Sequence, residues 1–196
     1  MRKLLFLCSL VLISGVLMTS CKGKKNVSVI TNVEATISAD RETMYLTQGD
    51  NYYWFETTAL FKNFFDEDAD GTVTKVVSVF EVANEVDSLT EFKVFTFTHE
   101  NGKTSIEENE GPWVEDCILN DEEIKLTFQE AFDKMMAADI VKPHSQFCVL
   151  RKPVGPVEVN AQYIFGNADA AIFVDAVTGD VTNSDPLADK DAESET

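Results

Sequence analysis

Near Asn120 the spacing of apolar residues changes from every second position to the three-and-four spacing of a helix, so the chain must combine strands with at least one helix packed on them. Upstream, residues 73–82 carry Val76, Val77, Val79 and Phe80, apolar on both faces as in a central strand. Residues 91–98 carry Phe92, Val94, Phe95 and Phe97, and Asn101-Gly102 follows them as a hairpin-turn signal, since both residue types tolerate positive φ. Residues 27–37 alternate Val27, Val29, Thr31, Val33, Ala35 and Ile37 with mostly polar neighbours, the pattern of a half-buried strand. The aromatic run 51–56, after a Gln48-Gly49-Asp50 turn signal, and residues 113–119 are further strand candidates.

Downstream, Thr127 and Glu130 make a capping box and Leu126 opposes Ala131 as a hydrophobic staple. Phe128, Ala131, Phe132, Met135 and Met136 then recur at helical spacing, predicting a helix over about 128–139. Pro143 stops it, and residues 147–152, 161–165 and 171–177 read as three short strands with turn chemistry at 153–156 and 166–168 between them. The expectation is an α+β fold: a β-rich region over 27–120, then an α-β-β-β unit with antiparallel sheet over 121–182. Residues 183–196 are acidic and lack an apolar period, so disorder is expected there.

The first residues carry a different signal. Met1-Arg2-Lys3 precedes an apolar run over 4–18, interrupted by Cys8, Ser9, Ser14 and Gly15, and Thr19-Ser20 follows. That is the order of a secretory signal peptide over 1–20, and the run is short of the roughly 18 unbroken apolar residues a spanning helix needs. Leu17-Met18-Thr19-Ser20-Cys21 resembles the lipobox of bacterial lipoproteins. The resemblance implies acylation of Cys21, and several acyl chains together give lasting anchorage. Residues 21–26, with Lys22, Lys24 and Lys25, read as a basic tether to the lipid. Lys22 rather than Asp after the cysteine implies the outer membrane, facing the periplasm.

The chain carries 34 acidic residues against 16 Lys and Arg, a formal charge of −18. Loss of Arg2 and Lys3 with the signal would take it to −20. Such a field repels nucleic acid and anionic substrates. Of four cysteines, Cys8 leaves with the signal and Cys21 takes lipid, so Cys117 and Cys148 remain. In an exported protein they are a possible disulfide, or two thiols that never meet; the sequence leaves both open.

The segment 126–181 resembles the PepSY domain, a small α+β module of exported bacterial proteins and of the propeptides of secreted peptidases. Leu126-Thr127-Phe128-Gln129-Glu130-Ala131 is similar to that family's capped helix start, and Phe173-Val174-Asp175-Ala176-Val177-Thr178-Gly179-Asp180-Val181 to its final strand and turn. Thr178-Gly179 permits a tight turn, and Asp175 can hydrogen-bond backbone near it. The resemblance covers about a third of the chain. It implies a binding or inhibitory module, acting on an envelope protein or peptide and possessing no catalytic residues.

One local motif points to a metal. Asp66-Glu67-Asp68-Ala69-Asp70-Gly71 reproduces the first half of a calcium loop, with oxygens at positions one, three and five and Gly at six. Position twelve is Val77, which rejects an EF-hand. Asp66, Asp68 and Asp70 are thus either a Ca²⁺ loop closed by another carboxylate, giving a calcium-stabilised structural envelope module, or an acidic surface turn. No G-x-S-x-G, H-E-x-x-H, C-x-x-C or G-x-G-x-x-G occurs, and His99 and His144 are the only imidazoles. His144 lies four residues before Cys148, but that spacing has no special geometry, and the Asp116/Asp121 and Glu122/Glu123 pairs read as surface charge. The expected function is that of a non-enzymatic, lipid-anchored envelope protein with a PepSY-like protein- or peptide-binding module that can modulate peptidases.

Overall fold

The computed structural model describes residues 27–86, 89–113, 116–155, 158–167 and 170–187. The expected signal peptide over 1–20, Cys21 and the expected tether over 21–26 lie outside the described residues, as does the end of the acidic tail over 188–196.

Helix α1 (Val33–Gln48) takes the second part, 33–37, of the strand expected over 27–37. Asn32 caps it, its Oδ1 accepting from Ala35 N at 2.8 Å, and Gly49 with φ 67° ends it by donating its N–H to Tyr45 O at 2.9 Å. The helix buries Val33, Ile37, Asp40 and Met44. Only Ile30 keeps extended pairing, in a bridge to Val73.

After α1 comes a meander of β1 (Tyr53–Phe61), β2 (Val73–Val86), β3 (Leu89–Glu100) and β4 (Lys103–Glu110). Asn101 and Gly102, at φ 53° and 70°, form the β3–β4 turn. A short β5 (Asp116–Cys117) precedes α2 (Phe128–Ala137), and β6 (Phe147–Pro153), β7 (Gln162–Asn167), β8 (Ala170–Asp175) and β9 (Val181–Thr182) complete the order. The expected capping box is present: Thr127 Oγ1 accepts from Glu130 N at 3.1 Å while Thr127 N donates to Glu130 Oε2 at 2.8 Å.

The expected division into a β-rich half and a separate α-β-β-β unit is corrected by the sheet itself. Its order is β4-β3-β2-β1-β6-β7-β8-β9, every neighbouring pair antiparallel, with β5 paired to the end of β6 beyond β1. The joint is β1 against β6, with Glu56 opposite Arg151 and Leu60 opposite Phe147. Both strands are apolar enough on their inner face to be interior strands, so the two halves share one sheet and the fold is more β-rich than expected.

Helices and sheet meet on one face. Ala59 and Phe61 of β1, Cys148 and Leu150 of β6, Tyr163 and Phe165 of β7, and Ile172 and Val174 of β8 are buried there with Phe128, Phe132 and Met135 of α2. The rings of Phe61 and Phe132 stack at 4.9 Å, and those of Phe128 and Tyr163 meet edge-on at 4.9 Å. α1 lies over β2 and β1 on the same face. Because successive strand side chains alternate, Val149, Arg151, Ile164 and Phe173 are directed to the opposite face.

Candidate functional site: a groove along the open edge of β8

That opposite face forms the floor of a groove of about 970 Å³, at the upper end of the range typical of ligand sites. Val149, Arg151, Ile164 and Phe173 lie in its floor, one wall is the α2–β6 connection with Val141, Lys142 and His144, and the other includes Val154, Asp185 and Leu187. Pro143 holds the first wall against the β7–β8 hairpin. Gly166, at φ 107°, is the residue that allows this approach, since a Cβ there would lie 2.5 Å from Pro143 Cβ and collide with Ala170 O. Leu187 similarly packs onto Gly155, which fixes the second wall. Val141 is 87% exposed and Val154 58% exposed, so apolar side chains flank the groove on both walls.

Along one side of this groove runs a sheet edge. β8 spans Ala170–Asp175, but its partner β9 pairs only at Phe173 and Val174. Among the described residues, no strand pairs with the outer side of Ala170, Ala171 and Ile172, and these three residues line the groove. Backbone donors and acceptors on such an edge are a template for an added strand. The charged residues of the lining are Lys142 and Arg151 with Glu56, Asp139 and Asp185. Arg151 is opposite Glu56 across the β1–β6 joint.

Beside Asp175 the segment resembling the PepSY exit turn is built as expected. Asp175 Oδ1 accepts from Val177 N at 2.8 Å and Thr178 N at 2.9 Å, and its Oδ2 accepts from Asn160 Nδ2 at 2.9 Å. Burial pushes this carboxyl up, but the hydrogen bonds from Thr178, Asn160, Val177 and Gln162 outweigh it and hold it below its ordinary value. Gly179, φ 76°, makes the turn.

A second polar cluster lies under α1. His99 Nε2 meets Asp40 Oδ1 at 2.7 Å, Thr104 Oγ1 meets His99 Nδ1 at 2.9 Å, and Trp54 Nε1 donates to Thr57 Oγ1, which reaches Ser78 Oγ at 3.3 Å. The carboxylate–imidazole–hydroxyl order is that of a proton relay, but neither the groove nor the smaller cavity of about 180 Å³ between the helices includes Thr104. The cluster pairs the buried Asp40 carboxylate on α1 with His99 on β3.

The residues singled out from sequence are not brought to one place. Cys21 lies outside the described residues. Asp70 turns its carboxylate onto its own loop, Oδ1 accepting from Thr72 N at 3.0 Å, and Asp66 O accepts from Ala69 N at 3.3 Å in the same turn. No group of three or more His, Cys, Asp or Glu that could hold a metal ion occurs among the described residues, so Asp66, Asp68 and Asp70 are not gathered around a common point. Gly71 is required instead by its backbone, whose φ of 75° L side chains rarely adopt. Cys117 and Cys148 are both free thiols: Cys117 sits opposite Lys152, whereas Cys148 is buried between Ala59 and Phe165. His144 is exposed in the groove wall while Cys148 faces the core, which separates that pair. Asp121 forms an ion pair with Arg41, and Glu123 reaches Lys152 at 3.5 Å.

The groove itself escaped sequence reasoning, although a signal for it exists. β6, β7 and β8 are apolar at adjacent positions, as in Tyr163-Ile164-Phe165 and Ile172-Phe173-Val174, and helices cover only one face of the sheet. No family model matches this chain, and neither the curated proteins nor the solved structures provide a match.

Proposed function

We propose that this protein is a non-enzymatic binding module that captures extended peptide segments by strand addition along β8, from a lipid-anchored position in the cell envelope. The observation that carries the reading is the half-open edge: β9 covers Phe173 and Val174 and leaves Ala170–Ile172 bordering a groove of about 970 Å³. An extended segment laid there gains main-chain hydrogen bonds from the edge, and alternate side chains enter the groove over Ile164 and Phe173. The PepSY-like pattern over 126–181 supports a binding or inhibitory role of the kind that modulates peptidases. The leader and Cys21 support export and attachment to the outer membrane, on its periplasmic side.

Hydrogen exchange tests the binding. Extended apolar peptides are expected to slow exchange of the Ala171 amide, which faces the open edge by alternation from Asp175, and to leave the amides of β4 unchanged; protection elsewhere, or none, overturns the reading. Mass spectrometry of the cell-derived protein tests the anchor, and a mature N-terminus with a bare Cys21 would remove it.

A further inference from the structure

Resting on that reading, we infer that residues 183–187 form an autoinhibitory strap, which occupies the groove beside the open edge of β8 and has to be displaced when an extended segment binds there. β8 runs from Ala170 to Asp175, and β9 lies antiparallel to it with Val181 opposite Val174 and Thr182 opposite Phe173. Continued along the same line, Asn183, Ser184 and Asp185 would face Ile172, Ala171 and Ala170. The chain turns away instead. Ser184 N donates to Thr182 Oγ1 at 3.0 Å, Leu187 N donates to Asp185 Oδ1 at 2.9 Å, and Pro186 has no N–H to give. The protein thus withholds its own next residues from the edge and lays them into the groove, where Asn183, Asp185 and Leu187 form part of the lining.

The far end of the strap rests on one contact. Leu187 packs onto Gly155, in the connection after β6, so closely that a Cβ on Gly155 would lie 2.3 Å from Leu187 Cδ2. β7 and β8 separate β6 from β9 in the sheet, so the strap passes both strands on the groove side to reach this anchor. The space it takes is the space an added strand needs, because alternate side chains of a segment laid on Ala170–Ile172 enter the groove over Ile164 and Phe173. The strap is also lightly held: Asn183, Ser184 and Asp185 are exposed and Leu187 is half-buried, so few buried contacts oppose its release. Displacement changes the charge of the site. With Asp185 in place, Lys142 and Arg151 stand with three carboxylates; with it withdrawn, they stand with Glu56 and Asp139 alone, a balance suited to an uncharged apolar segment.

The test measures binding of N-acetyl-Thr-Val-Val-Val-amide to the full chain by calorimetry and by the shift of the Ala171 amide. L187A, which removes the anchor, is expected to bind about tenfold more tightly than wild type. A second variant closes the strap: a Cβ at residue 155 would lie 3.2 Å from Leu187 Cγ, so G155C with L187C, in a C8S/C21S/C117S chain, is within reach of a disulfide. Its oxidised form is expected to bind about tenfold more weakly than its reduced form, a comparison within one chain that a loss of folding in L187A would not affect. Equal affinities of wild type, L187A and both states of the locked variant would overturn the strap and leave strand addition standing. Weaker binding by folded L187A would overturn it too, since Leu187 would then belong to the peptide's seat. Absence of binding in every form at millimolar peptide would overturn strand addition and the strap together.

Discussion

The His99 imidazole on β3 meets the Asp40 carboxylate on α1 at 2.7 Å, across 59 residues of sequence, and ties the first helix to the sheet through a contact that is almost fully buried on the carboxylate side. Burial raises the Asp40 carboxyl above its ordinary value of 3.8, and the opposing pull of His99 and Ser78 does not cancel it. Desolvation therefore wins at this site. The pair specifies where α1 sits while adding little net stability, in line with the cost of removing charges from water.

Breaking one side of the pair should be costly. His99→Ala leaves the buried carboxylate with Ser78 alone, and a loss of about 3 kcal/mol is expected in urea unfolding at neutral pH. Because the folded carboxyl binds its proton more tightly than the unfolded one, the Asp40 contribution is fully present below the ordinary carboxylate value and lost as pH rises through the raised one. The penalty of His99→Ala should accordingly shrink on acidification. Asp40→Asn should flatten that part of the pH profile, and a profile unchanged by Asp40→Asn would contradict the account.

Asp40 also explains why α1 was illegible in the sequence. Its buried stripe, Val33-Ile37-Asp40-Met44, has helical spacing but places a carboxylate at a core position, so the period is broken where hydrophobicity is the only guide. The alternation Val27-Val29-Thr31-Val33 then read as a strand. β4 was hidden for the opposite reason: all eight of its residues are exposed, and an edge strand that buries neither face has no apolar alternation. By contrast, α2 and the β3–β4 turn were legible because capping and positive φ are local requirements met by Thr127, Glu130, Asn101 and Gly102 themselves. The groove depends on register between strands distant in sequence and on two loops closing over it, information that adjacent residues do not carry.

Asp175 should contribute to stability through its turn. Its carboxylate accepts from two backbone amides and from Asn160, and Asp175→Ala is expected to cost roughly 2 kcal/mol in a partly exposed setting. Here the folded carboxyl lies below its ordinary value, so its contribution is present above that value and lost as pH falls through the depressed one. Thermal unfolding of wild type and Asp175→Asn at neutral and acidic pH checks the sign: the two should converge as pH falls. A gap that widens on acidification would refute the assignment.

Cys148 should behave as a core residue rather than a reactive thiol. It is fully buried, and burial alone pushes its thiol well above the ordinary value, so the nucleophilic thiolate is suppressed. In the C8S/C21S/C117S variant, which keeps Cys148 alone, uptake of a thiol reagent is expected only at urea concentrations that unfold the chain. Cys148→Ser, which places a hydroxyl in the same apolar site, should cost about 1–3 kcal/mol. Rapid labelling of the folded variant would place this thiol at a surface the fold does not have.

Gly166 and Gly111 provide a matched pair for the groove wall. Both have φ 107°, a conformation that strains any other residue, but a Cβ on Gly111 meets nothing within 4 Å, whereas one on Gly166 meets Ala170 O and lies 2.5 Å from Pro143 Cβ. Gly111→Ala therefore measures the backbone strain alone, expected to be about 1–2 kcal/mol. Gly166→Ala adds the displacement of the Pro143 wall, so its loss in urea unfolding should exceed that of Gly111→Ala. Only Gly166→Ala should also weaken peptide binding, because moving Pro143 displaces the groove wall beside the open end of β8. Equal losses with unchanged binding would mean that the wall yields freely and that its contact with the hairpin does not shape the groove.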